Sequence, residues 1–292
     1  MAKNLRKGII LAGGEGTRLF PLTSVLSKQL LPVYDKPMIY YSLSTLMLAG
    51  IDNIAIISTP EDTPRFQELL GDGSQWNINI TYIVQLKPNG IAEAFILAEQ
   101  FINNNCCALI LGDNIFYGDN FTDKIKKISN NYEQNTIFAY KVKDPKRYGV
   151  VSFKENGLAS DIEEKPENPK SSFAVTGLYF YDKNAVSHAK KLKPSARGEI
   201  EITDLNKIYL ERGELFVETL GRGFTWLDTG THDSLLEAGN FIATIENRNG
   251  QKIGCPEEIS FRNNWISERE LRAIAKKIRN KYANYLIDLI DK

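Results

Sequence analysis

Histidine is almost missing from this chain: His188 and His232 are the only two in 292 residues, which leaves little material for an imidazole general base or a histidine metal site. Cysteine is scarce and odd in number. Cys106, Cys107 and Cys255 have neither zinc spacing nor the makings of a disulfide framework, and they suit a reducing, cytoplasmic compartment as buried thiols. Net charge is also absent, since 36 Lys and Arg balance 36 Asp and Glu, so nothing draws the whole molecule to nucleic acid or to an anionic membrane. No stretch approaches the roughly 18 to 20 apolar residues of a membrane helix. The opening "MAKNLRKGIILAGG" puts cations before an apolar run, but that run is short and leads straight into Gly13, which argues against an export signal. There are no internal repeats, and no hexapeptide repeat extends the C-terminus into a parallel β-helix.

What the chain has is concentrated near its start. Gly8 to Ala12 form a short apolar run that reads as a buried parallel strand, followed by Gly13, Gly14, Glu15, Gly16, Thr17 and Arg18. Such a loop can offer backbone N–H groups to a phosphate, and its glycines let the chain pass close to the anion. Arg18 adds a fixed fork of donors and Lys28 a mobile point charge. The pattern is neither G-x-G-x-x-G nor a Walker A loop, and glycine turns after strands are common, so the motif alone does not fix a function.

Further along, a helix is expected from Pro37 with Met38, Tyr41 and Leu46 facing inward, then a strand at 53–58, a helix over 63–70 stopped by Gly71, a strand at 80–85, a helix over 92–101 and a buried strand at 106–111. This alternation predicts an α/β fold, a Rossmann-like and mainly parallel sheet flanked by helices, with ligands beyond the carboxyl ends of its strands. Asp113, in "GDN", lies at one such end; it reads equally as a turn residue or as an oxygen ligand for Mg²⁺. From 136 the chain becomes strand-rich, as in "TIFAYKV", "YGVVSF" and "SFAVTGLYFYD". Glu163, Glu164 and Lys165 fall within this part, where charge alone suggests a solvated loop. A helix capped near Thr203 should bury Leu205, Ile208 and Tyr209. A long helix from about Thr231 should bury Leu235, Ala238, Ile242 and Ile245, with Asp228 at the strand end before it. Residues 268–292 are amphipathic and helical, with Ile274, Ile278, Tyr285 and Leu289 opposite a basic face of Lys276, Lys277, Arg279 and Lys281.

The segment "KGIILAGGEGTRLFPLTSVLSKQLLPVYDKPMIYY" resembles the sugar nucleotidyltransferases, and within them the glucose-1-phosphate thymidylyltransferase family. The likeness continues through "LGDNIFYG", "RYGVV", "EEKP", "VTGLYFYD", "RGEIEITDLN" and "WLDTGTHDSLLEA", nearly the whole chain. It implies a nucleotide-diphospho-sugar transferase fold with a core over 1–250, nucleotide-binding over about 1–135 and sugar-binding over about 136–230, and a C-terminal helical extension over 251–292 packed on the core or on a neighbouring subunit. It implies the reaction of dTTP with glucose 1-phosphate to give dTDP-glucose and pyrophosphate, feeding dTDP-rhamnose and other deoxysugars.

In that chemistry a sugar-phosphate oxygen attacks the nucleotide α-phosphorus and pyrophosphate leaves in line. The nucleophile is already anionic, because a phosphate monoester has a second pKa of about 6, so no histidine base is needed. Resemblance assigns Arg18 and Lys28 to the triphosphate and the leaving group, Lys165 to the attacking phosphate, and Asp113 and Asp228 to Mg²⁺. Leu11, Gly13, Gly14, Gly16, Thr17, Gln85 and Gly90 match the nucleotide side, and Tyr148, Gly149, Glu164, Val175 and Glu199 the hexose side. Glu15 and Phe20 stand at variable-looking places and Ile91 where leucine is frequent, departures that bear on base packing. A homotetramer with feedback by dTDP-rhamnose is implied too, and neither nucleic acid nor membrane is an expected partner. A uridylyltransferase, another sugar-1-phosphate nucleotidyltransferase and a non-catalytic nucleotide-sugar sensor remain as other readings.

Overall fold

The computed structural model describes residues 6–14 and 16–291; Glu15 lies outside them, as does the start of the cationic stretch at residues 1–5. The apolar run forms β1 (Lys7–Leu11), in which Ile9 and Ile10 are fully buried. A small hairpin of β2 (Pro32–Val33) and β3 (Lys36–Pro37) precedes α1 (Ile39–Leu48). Pro37 therefore pairs with Pro32 in the hairpin instead of opening the helix, while Met38, Tyr41 and Leu46 do face the core. β4 (Asn53–Ser58), α2 (Thr63–Leu70) and β5 (Asn79–Val84) follow, with Gly71 at φ 58° stopping α2. The single helix expected over 92–101 is two short ones, α3 (Glu93–Leu97) and α4 (Glu99–Ile102); the break at buried Ala98 lets Phe95 and Ile102 enter the same core.

β6 (Cys107–Leu111) ends at Gly112, and β7 (Asn114–Gly118) and α5 (Phe121–Ser129) come next. The strand-rich part comprises β8 (Asn135–Lys141), β9 (Gly149–Phe153), β10 (Ala159–Glu164) and β11 (Phe173–Tyr181). Glu163 and Glu164 are paired strand residues opposite Val150 and Gly149, a correction to the solvated-loop reading that charge alone favours. Two helices, α6 (Ala185–Ala189) and α7 (Ile202–Glu211), lead to β12 (Leu215–Leu220) and β13 (Phe224–Asp228). α7 starts about two residues earlier than expected, with Glu201 as its flanking residue and Thr203 already inside and buried. α8 (His232–Asn249) begins with a capping box in which Thr231 and Ser234 bond reciprocally, and α9 (Pro256–Arg262), α10 (Glu268–Ala275) and α11 (Lys281–Asp291) complete the chain.

The main sheet runs β10-β9-β11-β6-β1-β4-β5, with β8 beside β11 and β12 beside β8. β6, β1, β4 and β5 are parallel; β11 is antiparallel to β6, β8 and β9. Register explains how both faces are covered. Ile10, Ile56 and Ile110 are level with one another and point to one layer with α1, α2 and α5, whereas Ile9 and Leu109 point to the layer holding α3, α6 and α7. The β7 and β13 ribbon lies outside this sheet and carries the polar ends of both strands toward it.

Candidate functional site

Two carboxylates are brought together by the ribbon. Asp113 directly precedes β7 and Asp228 ends β13, and because Asn114 sits opposite Asp228 in the antiparallel register the acids become neighbours. Asn114, nearly fully buried, is the pin. Its Nδ2–H donates to Asp113 Oδ1 at 2.8 Å, while its Oδ1 accepts from Gly177 N–H at 3.0 Å and Trp226 Nε1–H at 2.6 Å. The Thr229 hydroxyl donates to the Asp113 carbonyl at 2.9 Å, which ties the end of β13 to the start of β7.

Lys28, buried in a short 3₁₀ turn after Ser27, forms an ion pair with Asp113 Oδ2. Burial, and then the charge of Asp113, push the Asp228 carboxyl above its ordinary range, with Lys28, Arg18 and Arg147 pulling the other way. A Cβ placed on Gly230 would lie 3.3 Å from Asp228 Oδ1 and 3.3 Å from both terminal nitrogens of Arg18, so the loop after β13 passes closely between acid and guanidinium. The result is two acids ringed by three cations, a site organised for polyanions and for a cation between them.

The same cleft, a cavity of about 200 Å³, continues to the hexose-side candidates Tyr148, Gly149, Glu164, Lys165, Val175 and Glu199. Thr203 Oγ1–H donates to Glu164 Oε2 at 2.5 Å, leaving Oε1 3.7 Å from both Lys165 Nζ and Arg197 Nη2. Lys165 leaves β10 at φ 43°, a left-handed turn that swings it off the strand line. Tyr148 packs edge-on against Trp226 with ring centroids 5.2 Å apart. Arg197 is clamped by both oxygens of Glu201, at 2.8 and 2.9 Å, and by Glu199 at 3.1 Å. A larger cavity of about 550 Å³ lies between Tyr34 and Tyr282, where Lys36 and Lys252 are each paired with Asp35 and Glu246.

The nucleotide-side candidates divide. Leu11 ends β1, and its carbonyl accepts from Gly112 N–H at 2.9 Å. Gly13 lies against the Gln85 side chain, where a Cβ would overlap Gln85 Oε1. Gly16 takes φ 62° to start the 3₁₀ turn Thr17–Leu19 that positions Arg18. Gly14 has nothing within 4 Å of a built Cβ, so its lack of a side chain answers no crowding by the protein itself. Gly90, at φ 113°, is required by the protein's own chain: a Cβ there would overlap the backbone of Ile200, whose N–H donates to Asn89 O at 2.6 Å. Gln85 is not a free amide either, since its Nε2–H donates to Glu93 Oε2 at 2.7 Å.

Arg147, Arg197, Glu201, Asn114 and Trp226 also line the cleft, and sequence reasoning does not single them out. Only Arg147 had a usable signal, as a cation adjacent to Tyr148.

The acid pair fits Mg²⁺ by its donors: hard carboxylate oxygens, no imidazole or thiol, and in Asp228 a half-buried acid whose charge desolvation opposes. Among the described residues no cluster of three or more His, Cys, Asp or Glu could hold a metal, so further ligands would have to come from phosphate or water.

The nucleotidyl transferase family model matches residues 7–245. A glucose-1-phosphate thymidylyltransferase of Neisseria meningitidis is 58% identical over 287 residues, 98% of this chain and 100% of that one. One from Xanthomonas campestris pv. campestris is 56% identical, covering 97% of each. A Bacillus anthracis structure solved with sucrose, and assigned by name to the same enzymes, superposes with a TM-score of 0.74 at 45% identity over 81% of this chain and 94% of its own. A UDP-glucose pyrophosphorylase complexed with UDP-glucose has a TM-score of 0.74 at 24% identity over 82% and 99%, a likeness of fold.

Proposed function

Since the chain belongs to the nucleotidyl transferase family, at the level of its glucose-1-phosphate thymidylyltransferases, we propose a division of labour within the cleft for the reaction that this membership entails. That reaction is the condensation of dTTP with α-D-glucose 1-phosphate to dTDP-glucose and pyrophosphate, an entry to dTDP-rhamnose and related deoxysugars. Family membership implies that it depends on Mg²⁺.

One observation carries the residue roles: the acid pair with its three cations opens into the same cleft as a second cationic and acidic cluster, Glu164, Lys165 and Arg197. Arg18 and Lys28 bind the triphosphate and hold the charge that develops on the leaving pyrophosphate. Lys165 orients the attacking phosphate, with Arg197 beside it as a further donor, and Glu164 and Glu199 accept from sugar hydroxyls. Tyr148, Gly149 and Val175 wall the hexose. Leu11, Gly13, Gly14, Gly16, Thr17, Gln85 and Gly90 bound the nucleotide. Asp113 and Asp228 would hold Mg²⁺, which when bound supplies positive charge to the phosphate oxygens. No protein base is assigned, because the sugar phosphate arrives ionised.

A core over 1–250 with an extension over 251–292, a homotetramer, feedback by dTDP-rhamnose and a cytoplasmic setting complete the reading; three free cysteines support the last. The deciding experiment is an end-point matrix of nucleoside triphosphates against sugar 1-phosphates, read by product mass. dTDP-glucose should dominate, with UTP giving a slower product and ATP and GTP little; efficient ATP use would overturn the base assignment.

A further inference from the structure

We infer that Glu93 is a positioning residue that fixes the Gln85 amide in one orientation, so that the site reads a pyrimidine imide and turns cytosine away. The inference rests on the reading of Gln85 as a base contact given above. Gln85 is 3% exposed and its side chain lies between two surfaces. On one, Nε2–H donates to Glu93 Oε2 at 2.7 Å; on the other, Oε1 lies against Gly13. Glu93 is held in turn, because Asn89 N–H reaches its Oε2 at 3.3 Å and Asn89 Nδ2–H its Oε1 at 2.8 Å. The first residue of α3 thus joins the Asn89–Gly90 turn to the Gln85 side chain.

A carboxylate can only accept. Turning the amide over would set Gln85 Oε1 against Glu93 Oε2 at hydrogen-bond distance with no proton between them, so the carboxylate selects the orientation that keeps Oε1 toward Gly13. One N–H on Nε2 then remains beside that carbonyl, and the pair offers an acceptor and a donor in fixed order. Thymine and uracil present the matching order, an N3–H donor beside a carbonyl oxygen. Cytosine presents the reverse, an N3 acceptor beside an exocyclic N–H₂ donor. An amide free to turn could serve either; one fixed by a carboxylate serves the imide.

The test uses the full-length protein with Mg²⁺ and saturating glucose 1-phosphate, and compares kcat/KM for dTTP, UTP and dCTP. Glu93→Gln keeps size and an acceptor but can present either end of its own amide, so it frees Gln85 to turn. The ratio of dTTP to dCTP should fall about tenfold or more, from loss of dTTP efficiency together with gain for dCTP. KM for glucose 1-phosphate should stay within about twofold. Glu93→Ala should act the same way, and if its melting temperature is too low for assay, the near-isosteric Glu93→Gln carries the test. In a Gln85→Ala background Glu93→Gln should change nothing further. A dTTP to dCTP ratio unchanged by Glu93→Gln, where Gln85→Ala has cut dTTP turnover, overturns the inference and leaves the base reading standing. Unchanged dTTP kinetics in Gln85→Ala overturns both.

Discussion

At the residue scale, Asp228 combines two opposed demands: it is half-buried beside Asp113, which raises its carboxyl pKa, and yet its ionised form is the one that would hold a metal. Asp113→Asn or Asp228→Asn should therefore lower kcat by about 10² to 10³, equivalent to about 3–4 kcal/mol of lost charge stabilisation, and near-normal rates across a Mg²⁺ titration in both would contradict the roles proposed. Without metal the sign reverses for stability. A carboxyl whose folded-state pKa is raised favours folding most below its unfolded value, and that contribution is lost as pH rises through the folded value, so at neutral pH Asp228 weighs against folding. Asp228→Asn should then melt about 1–2 °C higher than the wild type in EDTA at pH 7, and calorimetry with and without Mg²⁺ separates the two effects. A second pair divides the substrates. Arg18 lies against Gly230 beside Asp228, whereas Lys165 stands by Glu164 and Arg197. Lys165→Ala should raise KM for glucose 1-phosphate about tenfold with a smaller change for dTTP, and Arg18→Ala the converse; equal defects in both saturation curves would remove the distinction.

At the element scale, the β7 and β13 ribbon brings the acids together, and Asn114 is what fastens it to β11. Asn114→Ala would leave Gly177 N–H and the Trp226 indole N–H buried without their acceptor and Asp113 without one donor. The cost should be about 2–4 kcal/mol, read as a lower urea midpoint at constant m, and an unchanged midpoint would show that the ribbon is held otherwise. This element also marks how far the sequence could be read. β1, β4 and β6 are legible because each is a short apolar run leading into Gly, Ser or Gly-Asp, and α8 because its Thr231 cap and its 3.6 period agree. β7 is not, since its apolar run is only Ile115, Phe116 and Tyr117 and follows directly on Gly112-Asp113-Asn114, which reads as a turn ending the previous strand. Asp113 and Asp228 stand out locally as acids at strand ends. Arg197 does not, because its place in the cleft depends on bringing Glu164 of β10 beside the start of α7, and Glu93 does not, because its bonds to Gln85 and Asn89 follow no recognisable sequence pattern. Gly90 shows the same limit: a glycine is needed there, but for the passage of Ile200.

At the scale of the whole molecule, the apolar faces of α10 and α11 are partly covered within the chain. Leu271, Ala275 and Leu286 form a core with Cys255 and Ile266, and the half-buried Ile274, Ile278, Tyr285 and Leu289 pack against it. An uncovered apolar groove lies elsewhere, where Leu236 of α8, 65% exposed, stands with Leu22 and Tyr34. No helix among the described residues is long and apolar enough to cross a membrane. A contiguous apolar groove on the long helix is the kind of surface that a symmetric pair of copies would bury, each giving the same face to the other. The proposed assembly should therefore give a light-scattering mass that is a multiple of the chain and steady on dilution. Leu236→Glu should lower that mass, because it sets two carboxylates against each other across the two-fold contact, while leaving the far-ultraviolet circular dichroism unchanged. A wild-type mass of one chain at every concentration would rule out the oligomer. A full-sized Leu236→Glu would keep the oligomer and move its contact away from α8.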